Sequence, residues 1–301
     1  MGCGAVGSLF AANLSLLDDV EVWAFDLNEL HMAAMNRDGL RLSGAGDVVG
    51  RPRGTSDAAG IPPCDFGIVA TKAMHTAAAI AQTAHAFSEG YVATVQNGLG
   101  AEEIVAAHGA WPLLSAVTFM SGTRHGDAHV EYVLDTATWI GPYRATREAD
   151  AIRVAELIEA GGLKAQAFPD LRPAQWSKLV FNATVNGVAA LTGLPHDFHF
   201  AQTAELSDLG RLVRDLVDEG KAVAAAAGVE LHDDPWEMNV LATQRGHRHF
   251  PSMLEDVEAR RPTEVELING ALVREAERCG VPAPLHTALY RLVKAREASY
   301  T

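Results

Sequence analysis

Short apolar runs that end in polar residues alternate with helically spaced stretches along the first half of the chain. The helical run "AVGSLFAANLSLL" (5–17) is followed by a strand candidate, "VEVWAFD" (20–26). "DFGIVATK" (65–72) and "YVATVQNG" (91–98) are continuous apolar runs of the kind that form buried parallel strands, with the Ala-rich helical stretch 73–87 between them. Polar residues at the C-terminal ends of such strands face a ligand crevice. "LLSAVTFM" (113–120), "AHVEYVLD" (128–135) and "TATWIGPY" (136–143) read as further strands, the last two as an antiparallel pair. A helix over 148–162 and a last short strand in "KAQAFPD" (164–170) complete this half.

After Pro169 the rhythm becomes helical throughout. The pattern predicts helices over 173–193, 204–228, 250–260 and 262–280. Pro173 and Pro262 stand where helices start, and Gly228 and Gly280 where they stop. The chain therefore divides into an α/β domain, 1–169, and an all-helical domain, 170–301, with a site expected in the cleft between them.

Composition narrows the classes. Of 301 residues, 48% are hydrophobic and 21% charged, the balance of a globular protein. No apolar run approaches the ~20 residues of a membrane span. The start of the chain lacks the basic segment and hydrophobic run of a secretory signal, and Val6 stands where N-myristoylation wants Ser or Thr. A net charge of −14 would repel a nucleic-acid backbone. Three scattered cysteines, Cys3, Cys64 and Cys279, form no disulfide framework and fit a reducing cytoplasm. The histidines at 196, 199, 247 and 249 lack the spacing of a metal site.

The opening "MGCGAVGSLF" carries G-x-G-x-x-G at Gly2, Gly4 and Gly7. Alone the pattern is weak, and a glycine-rich turn accounts for it equally well. Here it opens a helix, and the following strand ends in Asp26, 19 residues beyond Gly7. That is the spacing of the acid that bonds the adenosine ribose of a dinucleotide. Gly2, Cys3, Gly4, Ala5, Val6 and Gly7 are thus the candidate pyrophosphate turn, the helix N-terminus supplying N–H donors. The fold expected is a Rossmann-type dinucleotide-binding domain followed by a helical one. The first strand is missing, because only Met1 precedes the turn. Its slot lies between 20–26 and 65–72, and an empty slot would leave several ladder groups unpaired at about 1–3 kcal/mol each. The natural protein is therefore expected to begin about five or six residues upstream, with an apolar strand of the ~5-residue length usual for sheets.

"WSKLVFNATVNG" sets Lys178, Asn182 and Asn186 four residues apart, on one face of a helix. An exposed polar stripe is the plain alternative. Asn is a poor helix former, and two of them in an otherwise apolar helix favour a lined pocket. Reduction of a ketone needs a proton donor at the forming alkoxide, and a desolvated lysine meets that need.

These residues are similar to those of the ketopantoate reductase family and its 2-keto-acid reductase relatives. The resemblance spans nearly the whole chain and rests on "GCGAVGS", Lys72 in "VATKA", Asn97 in "QNGLG", "WSKLVFNATVNGVAALTG" and "PSMLEDVEARRPTEVELINGAL". It implies reduction of 2-dehydropantoate to (R)-pantoate in pantothenate biosynthesis, with NADH or NADPH as donor. By resemblance Lys178 is the proton donor, and Asn182 and Asn186 bind substrate. Ser252 meets the substrate carboxylate, and Glu264 lies by the nicotinamide ribose and substrate. Lys72 and Asn97 sit at the nicotinamide end of the sheet, Asn97 also near substrate.

Plain alternatives stand beside three of these. Ser252 could cap a helix, with Glu255 in the capping-box position. Glu264 could serve the dipole of a helix starting at Pro262. Lys72 could be solvated at a strand end. The chain also departs from the family pattern. Asp26 stands where NADPH users commonly have arginine or a small polar residue, which points to NADH. His196 lies ten residues after Asn186, where a substrate-binding asparagine can occur, and His249 and Phe250 precede Ser252. These changes leave the substrate's tail open. An NAD-dependent D-2-hydroxyacid dehydrogenase on a branched or aromatic acid is one alternative, and a non-catalytic dinucleotide-binding redox sensor another. No metal, nucleic-acid or membrane partner is expected; a homodimer is a candidate assembly.

Overall fold

The computed structural model describes residues 1–201, 206–244 and 250–300, which divide into two units. One comprises Met1–Gln96 and Ala101–Leu171; the other comprises Asn97–Gly100 and Arg172–Thr301.

The first unit begins with α1 (Ala5–Leu14), β1 (Trp23–Phe25), α2 (Glu29–Asp38), β2 (Leu40–Gly44), β3 (Val48–Gly50) and β4 (Arg53–Thr55). It continues through β5 (Phe66–Val69), α3 (Thr76–Thr83), β6 (Tyr91–Thr94), α4 (Ala101–Ala106), β7 (Leu113–Thr118) and β8 (Ser121–Gly126). β9 (His129–Leu134), β10 (Thr138–Pro142), α5 (Glu148–Ala160) and β11 (Ala165–Ala167) close it.

A five-stranded sheet runs in the order β11-β10-β7-β6-β5, with β5, β6 and β7 parallel and β10 antiparallel to β7. β1 and β4 pair in parallel as a separate two-stranded sheet. β5, β6 and β7 are continuous apolar runs because helices cover the sheet. Leu9, Phe10, Met35, Leu114 and Ile158 belong to one core cluster, and Phe25, Val69, Ile80 and Val92 to another. Full burial of each such side chain stabilises the fold by about 1.5–3 kcal/mol.

Met1 and Gly2 lie between β1 and β5, the slot of the expected first strand. The Met1 ammonium donates to Ile68 O (2.8 Å), Ala70 N to Met1 O (2.9 Å) and Gly2 N to Phe25 O (2.9 Å). These bonds bridge the gap where the ladder is otherwise interrupted.

The expected antiparallel pairing of 128–135 with 136–143 is not found. β9 joins a four-stranded sheet, β3-β2-β9-β8, parallel to β2 and antiparallel to β8, while β10 belongs to the five-stranded sheet. β2 and β3, with two apolar residues each, are too short to read as strands, and β4 and β8 carry no apolar side chain. β8 has an exposed Thr-Arg-His-Gly end, and backbone pairing rather than burial makes it a strand.

The second unit holds α6 (Arg172–Thr192), α7 (Asp208–Ala226), α8 (Pro235–Thr243), α9 (Ser252–Glu258), α10 (Asn269–Cys279) and α11 (Pro284–Ala298). Trp176, Leu179, Val180, Val223 and Leu272 share its main core cluster. The helix predicted from 262 starts only at Asn269, and the preceding residues form a turn. Arg274 on the first turns of α10 donates to Glu266 O (2.8 Å), and Gly270 N donates to Val265 O (2.8 Å), which stabilises that turn in place of helix.

Candidate active site

In the first unit the glycine turn is built from backbone. A Cβ on Gly7 would run into the carbonyl oxygen of Gly2, so only glycine lets α1 begin this close to the turn. Gly4 is the N-cap of α1; it offers no side-chain cap, and a Cβ there would meet nothing within 4 Å. The first N–H groups of α1 thus have no capping side chain at Gly4, and the space beside Gly4 is open, as the approach of a pyrophosphate requires. Asp26 follows β1 and accepts from Cys3 N through Oδ2 (2.7 Å) and from Asn28 N through Oδ1 (3.0 Å). Tying the glycine turn to the end of β1 is a task of Asp26 that its spacing did not reveal. Burial pushes the Cys3 thiol up to about 11, leaving it a packing residue beside the turn. These residues fit a nicotinamide dinucleotide. Lys72 is half-buried, three residues beyond β5, and belongs to this unit.

The second unit gathers the other candidates. α6 is long enough for Lys178, Asn182 and Asn186 to share one face over two turns. None is an exposed stripe. Lys178 and Asn182 are each 8% exposed, and Asn186 and Glu264 6%. Desolvation lowers the Lys178 ammonium from the ordinary 10.5 to about 8, against the pull of the Glu264 charge, which raises it.

Asn97 Nδ2 donates to Glu264 Oε2 (3.2 Å), and Asn182 Nδ2 donates to Asn97 Oδ1 at a long 3.5 Å. The segment carrying Asn97 is fixed by Leu99 N donating to Leu267 O (2.8 Å). Gly98 has φ +94°, and a Cβ there would strike that same carbonyl. The turn holding Glu264 and the turn holding Asn97 are thus clamped together. Gly98 and Gly100 were the sequence signal for that clamp, which the reading of Asn97 alone passed over.

Asn186 Oδ1 accepts from Met253 N (3.5 Å), which brings the first turn of α9 to α6. Ser252 is the first residue of α9, after Pro251, and its hydroxyl makes no capping bond. It is therefore not the N-cap that the S-x-x-E pattern allowed. Glu264 lies five residues before α10, so the helix-dipole explanation also lapses. His196 is held by contacts of its own. Its ring is buried between Phe181 and Phe200, and Nε2 is 2.7 Å from Asn239 Oδ1. His247 and His249 lie outside the described residues.

Residues 1–145 match the family model described as "Ketopantoate reductase PanE/ApbA", and residues 170–297 its C-terminal counterpart. The 2-dehydropantoate 2-reductase of Archaeoglobus fulgidus is 30% identical over 299 residues, covering 99% of this chain and 97% of its own. The chain belongs to the ketopantoate reductase family. As a member it is an NAD(P)-dependent oxidoreductase acting on a CH–OH group.

The 2-dehydropantoate 2-reductase of Pyrococcus abyssi is 25% identical with the same 99% and 97% coverage. Among solved structures, the PanE/ApbA family ketopantoate reductase of Ralstonia eutropha JMP134 superposes with a TM-score of 0.88 at 25% identity. It covers 100% of this chain and 98% of its own. A D-mandelate dehydrogenase in complex with NADH gives 0.85 at 25% identity, with the same coverage. The α/β Rossmann-like unit followed by helices is the fold of these ketopantoate reductases. Among the described residues no helix is long and apolar enough to cross a membrane.

Proposed function

We propose that this protein reduces the keto group of a small 2-keto acid, with 2-dehydropantoate as its substrate and (R)-pantoate as product. The observation that carries the proposal is a buried lysine, Lys178, its pKa lowered to about 8 by desolvation and coupled to the Glu264 charge, on the same helix face as Asn182 and Asn186. A non-catalytic sensor has no use for a tuned proton donor.

A bound nicotinamide dinucleotide supplies the hydride. Lys178, as ammonium, gives its proton to the carbonyl oxygen as negative charge develops there. A donor with a pKa of about 8 is still mostly protonated at neutral pH, yet releases its proton far more readily than an exposed lysine. Glu264 keeps Lys178 charged and orients the Asn97 amide. Asn182 and Asn186 have amide capacity left for substrate oxygens, and the Ser252 hydroxyl takes the substrate carboxylate.

NADH is the preferred donor. Asp26 is followed by Glu29 in the first turn of α2, and Asp57 stands just beyond the paired strand β4. Carboxylates at this end of the two strands disfavour a 2′-phosphate. Arg53 offers no rescue, because it lies at the start of β4, 3.3 Å from Glu21.

A second reading, D-2-hydroxyacid dehydrogenase on an aromatic acid, draws support from the NADH complex of D-mandelate dehydrogenase. The test is the oxidation of NADH and NADPH with ketopantoate, 2-ketoisovalerate and phenylglyoxylate. The proposal expects ketopantoate to give the highest kcat/KM. A preference for phenylglyoxylate selects the second reading, and cofactor binding without turnover selects the sensor.

A further inference from the structure

Glu264 has no helix or strand to hold it. It sits in the turn 263–268, with Leu267 N and Ile268 N each donating to Glu264 O at 3.1 Å. Both flanks of that turn are gripped by the last helix. Glu297 Oε1 accepts from Thr263 N and from Thr263 Oγ1, each at 2.7 Å, and Thr263 Oγ1 in turn accepts from Val265 N (3.2 Å). On the other flank Glu266 accepts from Tyr290 OH at 3.0 Å and lies 3.0 Å from Lys294 Nζ. Lys294 closes the circuit, 3.2 Å from Glu297 Oε2. Tyr290, Lys294 and Glu297 share one face of α11, so a single helix fixes the residues on both sides of Glu264.

We infer that Glu297 is a positioning residue of the reductase: through Thr263 it sets the turn that aims Glu264 at Asn97 and Lys178. The inference rests on the reading of Glu264 under the proposed function. Thr263 is buried and the Glu297 carboxylate nearly so, and charge-assisted bonds to a carboxylate are about twice as strong as neutral ones. Glu297 has no place in the ketone chemistry itself. Its effect passes through the position of one carboxylate, and displacement of a reacting group by about 1 Å costs on the order of 10²-fold in rate.

The test uses the full-length protein in steady-state kinetics across pH, with melting temperature as a check on folding. Glu297→Ala is expected to lower kcat/KM by about 10- to 100-fold, mostly through kcat. Because the Glu264 charge raises the Lys178 pKa, loosening Glu264 also moves the alkaline midpoint of the kcat profile to lower pH. Glu297→Gln keeps an oxygen for both Thr263 donors and is expected to stay within about threefold of wild type, less than one ordinary hydrogen bond. In a Glu264→Gln background, Glu297→Ala should cost nothing more. Thr263→Val, which leaves the Glu297–Lys294 pair and the Thr263 N–H bond intact but removes both Oγ1 bonds, is expected to shift kcat and the pH midpoint in the same direction by a smaller amount, and serves if Glu297→Ala does not fold. Full activity in Glu297→Ala, an unmoved pH midpoint, or an equal loss in the Glu264→Gln background overturns the inference. Wild-type turnover in Glu264→Gln alone instead overturns the role of Glu264, a result separate from any outcome for Glu297.

Discussion

Lys178→Met should make this protein more stable and nearly inactive. The substitution keeps the length and volume of the buried side chain and removes its charge. In the folded state Lys178 titrates at about 8 and in the unfolded chain at the ordinary 10.5. Between those values the unfolded chain binds a proton that the folded one does not, so stability rises with pH across that window. Below pH 8 both states are protonated and the folded state bears the whole cost of a buried ammonium. At about 1.4 kcal/mol per pH unit, the gap from 10.5 to about 8 corresponds to roughly 3 kcal/mol. That figure is already net of the attraction to Glu264, which by itself raises the lysine's pKa, and methionine removes it. The expected net stabilisation at pH 7 is roughly 1–3 kcal/mol, at about 1.4 kcal/mol per pH unit between the two titration points. It should fade as pH rises to 10, where the wild-type lysine is already neutral. Turnover should fall by about 10²–10⁴, the worth of a positioned general acid. Urea denaturation of both proteins at pH 7 and pH 10, beside keto-acid turnover at pH 7, gives the comparison. A variant less stable than wild type at pH 7, or a stability difference that ignores pH, would refute the assignment of a costly buried charge to Lys178.

Three further outcomes are expected. Asp26→Asn keeps an acceptor for Cys3 N and removes the charge, and should cut the discrimination against NADPH by about tenfold or more; an unchanged ratio of kcat/KM values for the two cofactors rules out Asp26 as the selector. Gly7→Ala sets a methyl against the Gly2 carbonyl, a clash worth about 1–3 kcal/mol, and should raise the Kd for NADH about tenfold or more in a fluorescence titration; wild-type affinity would mean the turn does not hold the cofactor. His286 is buried with Nε2 2.9 Å from Leu216 O, and desolvation lowers its pKa from 6.5 to about 4. The unfolded chain takes up that proton first, so stability is lost as pH falls from 6.5 to 4. His286→Leu should flatten this acid loss in thermal melts, and an identical slope would place its origin elsewhere.

The sequence by itself determined what periodicity and local chemistry carry. A continuous apolar run makes β5, β6 and β7 readable, because burial on both faces leaves no other solution. Four-residue spacing placed Lys178, Asn182 and Asn186 together on α6, since a helix makes its own neighbours. The glycine turn was legible for the same reason: its constraint is local, between Gly2 and Gly7. Tertiary structure decided the rest. The segment 262–268 has helical spacing, yet bonds to α10 and α11 hold it as a turn. β8 is a strand only because β9 lies beside it. The meeting of Asn97, Asn182 and Glu264 joins residues up to 167 positions apart, and no local rule reaches that far. The acidity of Lys178 belongs to this last class: a lysine's pKa near 8 is a property of the water excluded around it, which only the packed chain can set.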